Sequence, residues 1–272
     1  MAATPYAALN IVLEELVAGV RAILGDNFVG AYLQGSFAVG DFDENSDCDF
    51  IIVIGQDLSD EQVRALNAMH ERIYGLAYGW AQHLEGSYFP GTLLRDYRQR
   101  DEPLWYLDHG SRTLERSTHD NTVVVRWVLR EHGLALAGPS PATLVDPMPV
   151  AALRQDILDR MRAFREWALA DVSHIANRFY QAYAVLNYCR MLHDLHTGTV
   201  GSKRAGAAWV KATLDPAWAG LIDRAWAGRP NPALSVRQPA DPQDVTRTRE
   251  FMEYIFGMSR EYAVDNHEPF QS

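Results

Sequence analysis

Gly35-Ser36, ten intervening residues, and then Asp47-Cys48-Asp49 running into Phe50-Ile51-Ile52-Val53-Ile54 form the stretch whose reading decides the fold. Side chains at i and i+2 of a strand project to the same face. Asp47 and Asp49 therefore aim two carboxylates at one place while Cys48 faces the other way. That arrangement suits a hard divalent cation, because magnesium keeps several waters and takes one or two protein carboxylates together with phosphate oxygens. Upstream, the apolar run Phe28-Val29-Gly30-Ala31-Tyr32-Leu33 predicts a buried strand ending in the Gly35-Ser36 turn. Such a turn offers backbone N–H groups and the Ser36 hydroxyl to phosphate oxygens, and Gly35 lets the backbone come close. Asp and Gly are also ordinary turn residues, and 43–47 alone would serve as a surface loop. A Gly-Ser pair after one apolar run and an Asp pair opening the next favour the metal and phosphate reading.

Working outward, Leu9, Val12, Leu13, Leu16, Val17, Val20, Ile23 and Leu24 have helical spacing and predict an opening amphipathic helix that stops near Gly25. Strands are expected at 28–34 and 49–54. Ser59-Asp60-Glu61-Gln62 has the form of a capping box and predicts a helix through Tyr78. A third strand is expected over 82–89, stopped by Pro90, with His83, Glu85 and Ser87 on one face. Residues 90–118 are rich in Arg, Asp and aromatics and read as irregular. Asn121 to His132 reads as a helix despite Val123-Val124-Val125, with Gly133 as its stop.

Gly138-Pro139-Ser140-Pro141 marks a boundary, and beyond Pro149 the periodicity is helical. Leu153, Ile157, Met161, Phe164, Trp167 and Ala168 form one expected apolar face, and Ile175, Phe179, Tyr183, Leu186 and Cys189 another. Gly198 is expected to end the second of these helices, Ser202 to cap a short third, and 245–263 to supply the last. Pro230, Pro232, Pro239 and Pro242 place a loop before it. The expected fold class is α+β: a mixed sheet with helices over 1–148, followed by a helical bundle over 149–272.

Composition narrows the function classes. The chain has 272 residues, 47% of them hydrophobic, and a formal charge of −10. It has no basic stripe of the kind that nucleic-acid binding needs, and its acidity suits a cationic small molecule. Cys48 and Cys189 supply neither a disulfide framework nor a structural zinc set. No apolar run approaches spanning length and no signal-like segment opens the chain, so a reducing cytoplasm and no membrane partner are expected. His193 and His196, with His109 and His119 upstream, lack a completing ligand and read as structural histidines. There is no Gly-x-Ser-x-Gly elbow. Residues 198–203 lack the spacing and the preceding strand of a Walker loop.

Gly35-Ser36-Phe37-Ala38-Val39-Gly40 followed by Asn45-Ser46-Asp47-Cys48-Asp49-Phe50 resembles the signature of the polymerase-β-like nucleotidyltransferases. Within them, the chain is similar to the two-domain aminoglycoside adenylyltransferases that modify streptomycin and spectinomycin. Arg190, then Thr197-Gly198 and Lys203, then Ala207-Ala208-Trp209, resembles a pattern in that family's helical domain. Ala137-Gly138-Pro139 and Leu144-Val145-Asp146-Pro147 resemble its passage between domains.

The resemblance implies a magnesium-dependent enzyme that moves AMP from ATP to a hydroxyl of a small molecule, an aminoglycoside or aminocyclitol foremost. It implies that Asp47 and Asp49 hold metal and that Gly35 and Ser36 seat phosphates. Arg190 and Lys203 would contact ATP phosphates from the helical domain. Glu85 is implied as general base, as metal ligand, or as both. A protein or tRNA acceptor, and a silent nucleotide-binding protein of the same fold, stand as alternatives. The substrate positions depart from the family: where acidic residues are expected ahead of the helical-domain Arg, this chain has Asn177-Arg178-Phe179-Tyr180, and the nearest acid is Asp171. Trp105 stands in for the family's loop Trp. Tyr106, Asp108, His119, Asp120 and Trp127 are further residues that either line an acceptor pocket or pack in core and loops.

Overall fold

Leu9, Val12, Leu13, Leu16, Val20 and Leu24 are all buried along one stripe of α1 (Ala7–Leu24), which ends at Gly25 with φ +52°. In the computed structural model, which describes residues 3–44, 46–100, 102–229 and 235–263, the chain packs as two units, Met1–Met148 and Pro149–Ser272.

In the first unit, β1 (Phe28–Leu33) leads through the short turn α2 (Gly35–Ala38) into β2 (Cys48–Ile54). There follow α3 (Asp60–Tyr74), β3 (Leu84–Pro90), α4 (Gly91–Arg95), β4 (Leu104–Leu107), β5 (Glu115–Ser117), α5 (Val123–His132) and β6 (Leu134–Ala137). The Ser59/Gln62 capping box forms as expected. However, α3 stops at Tyr74 instead of reaching Tyr78, since Gly75 and Gly79 each weaken helix continuation.

The six strands lie in the order β5-β4-β3-β2-β1-β6. Only the β2–β3 pair is parallel, so the sheet is mixed as expected. On one face Phe50, Ile52, Ile54, Leu84, Tyr88 and Leu107 pack with the buried stripes of α1 and α3. The opposite face carries Asp49, Glu85, Ser87 and Tyr106, because Asp49 pairs with Glu85 and Ser87 with Tyr106. Gly86 allows β3 to lie tight on β2; a Cβ there would stand 2.0 Å from the Phe50 carbonyl oxygen.

Residues 90–118 are not irregular throughout, since they contribute α4, β4 and β5. The sequence hides these strands because each is three or four residues long and gains its stability from cross-strand partners. The same holds for β6, which pairs with β1.

The second unit contains α6 (Val150–Ala170), α7 (Arg178–Thr197), α8 (Lys203–Thr213), α9 (Ala219–Gly228) and α10 (Pro242–Ser259). Helix α7 is buried at Ala184, Val185, Leu186, Asn187, Tyr188 and Cys189 in succession, so it is enclosed all round and not along one stripe. It contacts α6, α8, α9 and α10. Gly198 ends it in the left-handed conformation at φ +71°, and Ser202 caps α8 through Ala205 N–H, both as expected. Three expectations are corrected. Trp167 is exposed, α9 occupies a stretch given no helix, and Pro242 opens α10 at the position where proline is tolerated instead of extending the loop. Pro230 and Pro232 lie outside the described residues.

Candidate active site

The backbone N–H of Gln34 donates to the Asp49 carbonyl at 2.9 Å, which fixes the Gly35 turn beside β2. Gly35 has φ +60°, and a Cβ at this position would stand 1.9 Å from Asp49 Oδ2. Only glycine fits both conditions, so the turn and the carboxylate define each other's position. Ser36 Oγ is buried and has no hydrogen-bond partner among the described residues. A buried hydroxyl without a partner is costly in a folded protein and marks a place where an oxygen-rich ligand would satisfy it.

Strand register sets the acidic residues. Asp49 lies directly opposite Glu85 on the parallel pair, and Asp47 precedes β2 by one residue on the Asp49 side of the alternation. Strand register thus sets Asp49 and Glu85 side by side, with Asp47 two residues before Asp49 on the same side of the alternation. Each offers hard oxygen donors, so the set fits magnesium.

Glu85 is largely enclosed, with 16% of its side chain exposed. Tyr106 O–H donates to its Oε1 at 2.5 Å, and His119 Nε2 lies 3.4 Å from the same oxygen. The Tyr106 and His119 rings stack at 5.1 Å. Burial pushes the Glu85 carboxyl above its ordinary value, with Asp47 and Asp120 adding to the rise, while the Tyr106 hydroxyl and His119 pull it down. Next to it, Ser87 Oγ donates to Asp120 Oδ2 at 2.7 Å, both groups being buried.

On the other side of the acidic group, His109 Nε2 stands 3.1 Å from Asp47 Oδ1 and 2.9 Å from His83 Nδ1. The Asp47 contact is within ion-pair distance but off hydrogen-bond geometry, since Asp47 Oδ1 has no hydrogen bond among the described residues. Burial, with the neighbouring His109, lowers the pKa of His83, and Asp47 opposes this. His109 and His119 thus lie against Asp47 and Glu85 respectively. Sequence named His119 as a pocket candidate without a partner and offered no such signal for His109, because both sit in the turns flanking β4 and β5. Trp105 is also reassigned. It points from β4 to the α1 and α3 side of the sheet, where Arg116 stacks on it at 4.4 Å, and so does not share the Glu85 face.

In the second unit, α8 meets α7 so closely that a Cβ on Gly206 would stand 2.5 Å from Arg190 Cα. Lys203 lies one turn before Gly206 on α8, with Nζ 5.2 Å from the Tyr183 ring centre. The helix pair therefore holds the two cations that the sequence singled out. Buried Asp194 lies in the field of Arg190; burial raises its pKa and Arg190 counters the rise.

Residues 143–254 match the family model described as aminoglycoside adenylyltransferase, C-terminal domain. Among solved structures, the chain is similar to spectinomycin adenyltransferase AAD(9) from Enterococcus faecialis, determined with ATP and spectinomycin. The TM-score is 0.68 at 14% identity, covering 92% of this chain and 98% of that one. No curated protein matches the chain by sequence.

Proposed function

We propose that this aminoglycoside adenylyltransferase-like chain transfers AMP from ATP to a hydroxyl of an aminoglycoside or aminocyclitol, in a magnesium-dependent reaction. The observation that carries the reading is the in-register pair Asp49 and Glu85, with the Gly35-Ser36 turn pressed against Asp49.

In the proposed reaction the acceptor oxygen attacks the α-phosphorus of ATP, its proton passes to Glu85, and the bond to the β-phosphate oxygen breaks to release pyrophosphate. Asp47 and Asp49 are the residues that would hold magnesium, with Glu85 beside them chiefly as base; the ion, when bound, would neutralise charge on the phosphates and on the leaving group. The Gly35 turn brings backbone close to the triphosphate, and Ser36 gives its hydroxyl to a phosphate oxygen. Tyr106 and His119 hold the Glu85 carboxylate through one oxygen and so orient the base. Arg190 and Lys203 are the proposed cationic contacts for ATP phosphates. The chain's −10 charge favours cationic aminocyclitols as acceptors and weakens that attraction as salt rises.

The test is a panel of streptomycin, spectinomycin and related aminocyclitols incubated with ATP and magnesium, with pyrophosphate release and the mass of the modified acceptor as readouts. Release stimulated by an aminocyclitol that gains one AMP is expected. If ATP binds but no member of the panel stimulates release, the acceptor assignment is wrong.

A further inference from the structure

Asp47, His83 and His109, from separate segments, each offer a donor atom, and the three atoms lie within 4.8 Å of one another. We propose that they form a binding site for a borderline divalent transition cation, zinc foremost, at the edge of the acidic group. The proposal shares Asp47 with the nucleotidyl-transfer reading but rests on its own donor geometry.

Hydrogen bonding alone does not satisfy the cluster. A neutral imidazole nitrogen either carries one N–H or offers one lone pair. His109 Nε2 faces both His83 Nδ1 at 2.9 Å and Asp47 Oδ1 at 3.1 Å, and can serve only one of them as donor. Asp47 Oδ1 is in fact left without a hydrogen bond among the described residues. A single cation would satisfy all three atoms together. With metal–donor bonds of roughly 2.1 Å, neighbouring donors stand about 3.0 Å apart in an octahedral set and about 3.4 Å apart in a tetrahedral one. The His83–His109 and His109–Asp47 separations, 2.9 and 3.1 Å, lie near the octahedral edge length.

The scaffold holds the donors in place. Cys48 N–H donates to the His83 carbonyl at 2.8 Å, which anchors His83 next to Asp47 at the start of β2. The His83 and His109 rings stack at 5.2 Å with an interplanar angle of 27°. Imidazole suits zinc and its first-row neighbours, whereas magnesium prefers oxygen donors, so the two histidines would discriminate between these cations.

The experiment uses the untagged full chain. Zinc alone is titrated by calorimetry, cobalt is followed by its visible absorption, and melting temperature is measured with and without zinc. The wild type is expected to bind one zinc per chain and to melt higher in its presence. His83→Gln and His109→Gln should each weaken zinc binding by at least about tenfold, the scale on which even an outer partner of a metal site counts. Both should also lose the cobalt spectrum and the zinc-dependent rise in melting temperature. A wild type with no stoichiometric zinc binding overturns the site, as do folded histidine variants that bind zinc like the wild type. Magnesium-ATP binding is measured in parallel. If zinc binds through both histidines but magnesium-ATP does not bind, the zinc site stands and the nucleotidyl-transfer reading fails.

Discussion

Glu85 owes its behaviour to where β3 puts it: enclosed by the sheet face, with a tyrosine hydroxyl and an imidazole on one oxygen. Burial is the leading cause of its raised pKa, so in the free protein the carboxyl keeps its proton to a higher pH than the ordinary 4.5. A base must be deprotonated, so kcat/KM should fall on the acid side as Glu85 takes up its proton. Tyr106 opposes the shift by donating to the ionised form. Tyr106→Phe should therefore move the acid limb of the kcat/KM profile further up, while the wild-type rate is approached at high pH. A limb that stays in place would remove Tyr106 from the tuning of Glu85. Glu85 itself was legible from strand alternation, which put it on a face with Ser87. Tyr106 was not, because its contact depends on β4 forming within a segment crowded with Arg and Asp.

At the scale of elements, the join between α3 and β3 carries a titratable contact. His70 on α3 is buried, and its Nε2 lies 2.8 Å from the Tyr88 hydroxyl on β3. Burial lowers its pKa from 6.5 to about 3. The unfolded chain thus binds a proton at this residue that the folded chain refuses. This contribution to stability is present above pH 6.5 and is lost as pH falls toward 3. His70→Gln keeps an amide near Tyr88 but cannot titrate in that window. Its melting temperature should fall less than that of the wild type between about pH 7 and pH 4. Equal falls in the two proteins would show that His70 does not drive the acid sensitivity. Elements with their own local signals were readable: the Ser59 capping box, the α1 stripe, the Gly198 stop and the Ser202 cap. Strands β4, β5 and β6 were not, since their stability comes from partners distant in sequence. The all-round burial of α7 was missed for a related reason, because it depends on the helices assembled around it.

For the molecule as a whole, the motif from Gly35 to Asp49 led to the α+β fold because each of its parts has a separate structural cause. A glycine fills a place with no room for a Cβ, a serine hydroxyl is buried there with no hydrogen-bond partner among the described residues, and a carboxylate sits in register with Glu85. Sequence singled out His83, Tyr106 and His119 but not their contacts, nor the place of His109 beside Asp47, since separate loops and strands bring these groups together. The central claim is that Asp47 and Asp49 bind magnesium-ATP while Glu85 acts chiefly as base. Calorimetric titration of magnesium-ATP into the wild type, Asp47→Asn, Asp49→Asn and Glu85→Gln, paired with turnover, tests it most directly. The account predicts that both Asp variants lose affinity and turnover. Glu85→Gln should keep affinity while kcat drops roughly a hundredfold or more. Unchanged magnesium-ATP affinity in both Asp47→Asn and Asp49→Asn would contradict the account.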